Sequence, residues 1–152
     1  MKFFANPSLA MMLLMAVACS APQISPTRYD ETEVNLRKDI IVKYFEYHNA
    51  RNPTQLGELL DNKFLAIRVQ DGNPVRSSWG KNLELLSITD DKDNPRRGEM
   101  IFSRNDITYI PNKDIYETYY VAHYFEPNHR DEKYKMEFKF SNDKIIQTVL
   151  FN

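Results

Sequence analysis

The chain has 152 residues, 42% of them apolar and 27% charged, which fits one ordinary globular domain. Its 20 Lys and Arg nearly balance 21 Asp and Glu, and a formal net charge of −1 gives no footprint for a nucleic-acid partner. Gly is scarce at 4 and neither GxGxxG nor GxxxxGK occurs, so a phosphate cradle is not indicated; one Cys rules out an internal disulfide, and three scattered His suggest no metal site. No cofactor is implied.

In chain order, Met1 to Ser8 carries one cation, Lys2, and Leu9 to Ala18 follows as ten apolar residues without a charge. That length suits a signal-peptide core and is too short to cross a bilayer as a helix. The run ends in Ala16-Val17-Ala18-Cys19, which resembles the lipobox of bacterial lipoproteins, with Ala16 where that family more often has Leu. The resemblance implies acylation of Cys19 as the first mature residue. The alternative is a plain secretory signal. One acyl chain holds a protein only marginally, whereas two or more hold it stably. Ser20 after the cysteine resembles lipoproteins released to the outer membrane, so the expected location is the bacterial cell envelope, on the outer membrane. Residues 1–18 are thus expected to be signal, 19–28 the lipidated cysteine and a Pro- and Ser-containing tether, and 29–152 the domain.

Glu31 to His48 is the spine of that domain. Val34, Ile41, Tyr44, Phe45 and His48 recur at three- and four-residue steps on one side of a helix, and Leu36, Ile40 and Tyr47 widen the stripe. A second helix starts with Asn52 as N-cap, Pro53 in its first turn and Gln55 in the capping-box position, with Leu56, Leu59 and Leu60 along one side. Phe64 to Val69 is a strand closed by the turn signal Asp71-Gly72-Asn73-Pro74. Trp79-Gly80 opens a third helix, Lys81 to about Ile88, with Leu83 and Leu86 expected inward and Ile88 as a further inward candidate. Asp90 to Gly98 reads as a solvated loop that lacks the glycine and terminal glutamate of an EF-hand.

After Gly98 the pattern turns to strands: Met100–Phe102, Asp106–Ile110, the aromatic-rich Ile115–Glu126, and Ile145–Phe151. Between them Tyr134, Met136, Phe138 and Phe140 alternate with Lys133, Lys135, Glu137 and Lys139, giving one buried and one wet face. Three helices followed by a meander make an α+β order, with a curved antiparallel sheet around the spine helix as a cone.

At this point the chain resembles the NTF2-like superfamily (a cystatin-like fold), in particular its SnoaL-like and ketosteroid-isomerase-like branches. The residues that carry the resemblance are the junction Tyr44 to Asn52, then Leu56, Leu59, Leu60 and Phe64, Trp79-Gly80-Lys81, and Phe140 to Ile145. It implies the fold across most of Tyr29–Asn152 and chooses no activity, since members bind, transport or transform small molecules. Tyr44 stands where the isomerases have their oxyanion-donating tyrosine, but their general-base aspartate corresponds to Ile67-Arg68-Val69. Arg68 is always charged and cannot take a proton from carbon.

Three functions remain open. The leading expectation is a non-catalytic, lipid-anchored domain whose cone binds a small apolar or amphipathic molecule or is filled by its own side chains. The expected lining is Tyr44, His48, Arg68, Trp79, Tyr119, His123, Met136 and Phe138. Trp79 either lines the cone or caps it. His123 and Tyr119 face inward if Phe125 pairs with Tyr134; a one-residue slip turns His123 out and Tyr120, Ala122 and Tyr124 in. The second is an isomerase- or dehydratase-type enzyme using Tyr44 and His123 with Arg68. The third is an interaction module that forms a homodimer or docks an envelope partner through the sheet.

Overall fold

The computed structural model describes residues 30–70, 73–90, 98–125 and 128–151, with the backbone alone for 73–76 and 90. The lipobox, the tether, the turn residues 71 and 72 and most of the charged loop lie outside the described residues. Three helices come first: α1 (Glu31–Asn49), α2 (Pro53–Leu59) and, after two strands, α3 (Lys81–Asp90). The strands are β1 (Leu60–Gln70), β2 (Asn73–Gly80), β3 (Gly98–Phe102), β4 (Thr108–Ile110), β5 (Ile115–Tyr124), β6 (Glu132–Ser141) and β7 (Lys144–Phe151). No helix among the described residues is long and apolar enough to cross a membrane.

α1 starts where the Asp30 carboxylate accepts the Thr32 N–H at 2.9 Å and satisfies one of the helix's unpaired donors. Its buried face is Val34, Ile40, Ile41, Tyr44 and Phe45. Phe45 lies 4.7 Å from Phe102, 5.4 Å from Tyr120 and 5.8 Å from Phe138, so the helix sits in the concavity of the sheet. Burying one such ring contributes about 1.5–3 kcal/mol. Leu36, expected on the stripe, is half exposed. α2 is capped as read, with the Asn52 side chain accepting from the Gln55 N–H at 3.1 Å.

The seven strands form one curved, unclosed sheet in the order β2-β1-β7-β6-β5-β3, with β4 on the remaining length of β5. The sheet is mixed, which corrects the antiparallel expectation: β1 and β7 run parallel. That pairing joins strands far apart in sequence and leaves no local turn signal. β2 is also unanticipated; Pro74 marked it as turn, but it is the edge strand of the sheet, where a missing N–H is tolerated.

The decisive register is between β5 and β6. Tyr116 pairs with Phe138, Thr118 with Met136 and Tyr120 with Tyr134. The pairing of Phe125 with Tyr134 is therefore wrong. Pairing ends at Ala122 and Glu132, so the connection is longer than the polar reversal implied, and the face inverts. Tyr116, Thr118 and Tyr120 are buried, whereas Tyr119 and His123 lie on the convex side.

α1 is pinned to the sheet at its end. The Asn49 amide donates to the Met100 carbonyl at 2.9 Å and accepts from its N–H at 2.8 Å. Arg51 follows in the left-handed region at φ 53°, and its guanidinium donates to the His48 and Gly98 carbonyls at 3.2 Å each. At Gly98 a Cβ would stand 2.3 Å from the His123 carbonyl oxygen. Gly98→Ala must therefore push β3 from β5, and we expect a loss of about 1–3 kcal/mol by urea unfolding. Unchanged stability would show that the two strands are not so close.

Candidate functional site

The polar centre of the molecule is a carboxylate on α3. Of the expected inward residues, Ile88 is buried, but Leu83 and Leu86 are 59% and 53% exposed, and the helix buries Glu84 in their place. Glu84 Oε1 accepts the Tyr44 hydroxyl at 2.7 Å and His48 Nε2 at 3.0 Å, and Oε2 accepts the Trp79 indole N–H. Two of these donors come from α1, one turn apart at the spacing that aligns side chains on a helix face, and the third from β2. Burial pushes the Glu84 carboxyl up, but the bonds from His48, Tyr44 and Trp79 outweigh it and hold it below its ordinary value. The group is a carboxylate at neutral pH. Burial, and then the facing Glu84 charge, push the Tyr44 phenol well above its ordinary range, so it stays a donor.

A carboxylate can only accept, so His48 Nε2 carries the hydrogen in that bond. His48 also belongs to the wall of a cavity of about 390 Å³ in the mouth of the cone. On the sheet side the wall is Tyr120, Tyr124 and Tyr134, with Met100, Ala122 and Leu150 between them. Tyr120 and Tyr134 are cross-strand partners stacked at 5.4 Å. Arg68 enters from β1, and β3 borders the cavity at Glu99, whose cross-strand partner His123 is on the convex face. Burial, and then Tyr124, push the Tyr120 phenol upward, while the Arg68 charge acts on it in the opposite sense. The volume is at the lower end of what small-ligand sites enclose, roughly 300–1,000 Å³, and the lining joins rings to few charges.

The structure thus separates the sequence-read lining residues. His48 and Arg68 stand in the cavity wall. Tyr44 and Phe138 are buried in the core beneath it, as is Met136. Trp79 packs against the core with its indole on Glu84, and does not line this cavity. Tyr119 is on the convex face under the Lys133 ammonium, and His123 is there too, its Nδ1 2.8 Å from Asp131. Glu84, Tyr120, Tyr124 and Tyr134 were not singled out as site residues. The Glu84 signal was present: Tyr44 and His48, one turn apart on an inward stripe, bring two donors into a core that must supply an acceptor. Among the described residues no group of three or more His, Cys, Asp or Glu could hold a metal ion.

Neither a protein-family model nor a characterised protein sequence matches the chain. Solved structures do match. A cystatin-fold protein from Novosphingobium aromaticivorans superposes with a TM-score of 0.58 at 11% identity, over 76% of this chain and 97% of that one. An NTF2-like protein from Cytophaga hutchinsonii gives 0.56 at 8%, over 75% and 87%. A protein with a ketosteroid isomerase-like fold from Catenulispora acidiphila, in complex with trimethylamine, gives 0.57 at 11%, over 75% and 85%. The fold is NTF2-like. At such identities the likeness speaks for architecture alone, and the chemistry of this NTF2-like cone must be read from its own residues.

The Glu84 network gives a test. Because its folded pKa is depressed, the stability it contributes is present above the unfolded carboxyl range, near about 4.3, and is lost as pH falls through the lower folded value. Glu84→Leu leaves three donors without an acceptor and should cost about 3–5 kcal/mol in urea unfolding at neutral pH. The difference between wild type and variant should shrink below about pH 4. A variant within about 1 kcal/mol of wild type at neutral pH would contradict the network.

Proposed function

We propose that this protein is a lipid-anchored domain of the bacterial cell envelope, tethered through Cys19, whose NTF2-like cone holds a small amphipathic molecule. The observation that carries the binding half is the convergence of Tyr120, Tyr124 and Tyr134 with Arg68 in one cavity of about 390 Å³. Rings take an apolar body of the ligand, and a guanidinium favours a carboxylate or similar anion at its end. Among the described residues no carboxylate is bonded to Arg68. The anchor half rests on the lipobox-like Ala16-Val17-Ala18-Cys19 and the apolar run before it.

Enzyme chemistry through Tyr44 and His123 is not supported. The Tyr44 hydroxyl is spent on Glu84 in the interior, and His123 is bonded to Asp131 on the convex face, with the sheet between them. A second reading, docking of an envelope partner or a second copy, is favoured by one observation. The convex face leaves Ile101 and Tyr119 exposed beside a groove of about 630 Å³ along β3 and β5. The opposite face of the sheet, with Tyr120 and Tyr124, is the concave one. Sedimentation at several concentrations tests the second copy: a concentration-independent monomer removes it.

For the leading reading, native mass spectrometry of the full chain isolated from cell envelopes should show a small-molecule adduct that Arg68→Met and Tyr120→Ala each deplete several-fold. In the same cells Cys19→Ser should move the chain from the membrane pellet to the soluble fraction. An adduct insensitive to both cavity substitutions would contradict the binding half, and an unchanged pellet would contradict the anchor.

A further inference from the structure

Resting on the cavity reading above, we infer that the ligand carries a hydrogen-bond donor, a hydroxyl or N–H, apart from its anionic end, and that His48 Nδ1 is the acceptor that recognises it. Among the described residues, His48 is the one in the cavity wall whose side chain also bonds the Glu84 carboxylate. Its ring has two nitrogens with opposite roles when neutral. Nε2 is committed to Glu84 at 3.0 Å as a donor, since the carboxylate has no hydrogen to give. Nδ1 is then the lone-pair nitrogen. Nδ1 is not among the buried side-chain atoms left without a partner, so this lone pair is open to the cavity side of the ring and can accept from a ligand group that donates to it.

The rest of the network makes the choice of nitrogen firm. Glu84 is held by Tyr44 and Trp79 as well, so the carboxylate cannot swing away to meet another donor without breaking buried bonds. His48 is also packed against the Tyr44 ring at 4.6 Å, which fixes the plane of the imidazole. Glu84 therefore acts as a positioning residue. It sets which nitrogen carries the hydrogen and which is left to accept, without lining the cavity itself. The expected class of ligand is a small aromatic or alicyclic acid with a ring hydroxyl or amine, its carboxylate toward Arg68 and its donor toward His48.

The test uses the full chain in phosphatidylcholine nanodiscs at mildly alkaline pH. The probes are 3-phenylpropionate, its 3- and 4-hydroxy derivatives, and the two corresponding methyl ethers, titrated calorimetrically. One hydroxylated acid should bind about tenfold more tightly than its methyl ether and than the parent acid, the worth of one buried hydrogen bond. His48→Phe should abolish that preference. The comparison of hydroxyl with ether in the wild-type chain needs no variant to fold. If all five acids bind with equal affinity, the cavity reading stands and this inference is overturned. If none binds, the cavity reading falls and takes the inference with it.

Discussion

A single buried carboxylate governs how the helices of this protein meet its sheet. Glu84 takes three donors, two from α1 and one from β2, and presents both of its oxygens to them. Removing a carboxylate from water costs several kcal/mol, and attraction to its partners offsets that cost only when the geometry is complete. The three elements are therefore coupled: a shift of α1, α3 or β2 alone would strand a charge or a donor in the core. The close-packed contacts of Phe45 hold α1 in the concavity of the sheet, and the directional Glu84 bonds add to them in fixing its rotation.

From that constraint the mouth of the cone follows. With α1 fixed, His48 reaches the cavity at the end of the helix, and Asn49 and Arg51 tie the same end to β3. Opposite it, the pairing of Tyr120 with Tyr134 sets the faces of β5 and β6. A one-residue slip would replace the tyrosine wall with Tyr119, Val121 and His123 and place charge where rings now stand. The cavity joins an aromatic wall, the cation Arg68 and an imidazole whose hydrogen is placed by a carboxylate the ligand does not reach.

Much of the fold was legible because its signals are local. The periodicity of Val34, Ile41, Tyr44 and Phe45, the Asn52-Pro53 cap and the alternation of Tyr134 to Phe140 each occupy one element, and the structure has those elements with those faces. What failed depends on partners distant in sequence. The parallel pairing of β1 with β7 has no turn to announce it. β5 carries rings on both faces, so its orientation is decided by loop length, not by hydrophobicity. On α3, counting leucines pointed the wrong side inward, because the buried position was a glutamate whose reason for burial lies on two other elements. The candidate site was legible only at His48 and Arg68, since its tyrosines reach the cavity through the β5–β6 register.

The central claim is that an ionised Glu84 fixes the hydrogen of His48 on Nε2, and the direct measurement is the nitrogen-15 NMR spectrum of the His48 ring across a pH titration. In the neutral ring Nε2 should appear at the shift of a protonated nitrogen and Nδ1 at that of a bare one, with this asymmetry lost in Glu84→Leu. A ring averaged between the two tautomers in the wild-type chain, or one protonated at Nδ1, would contradict it.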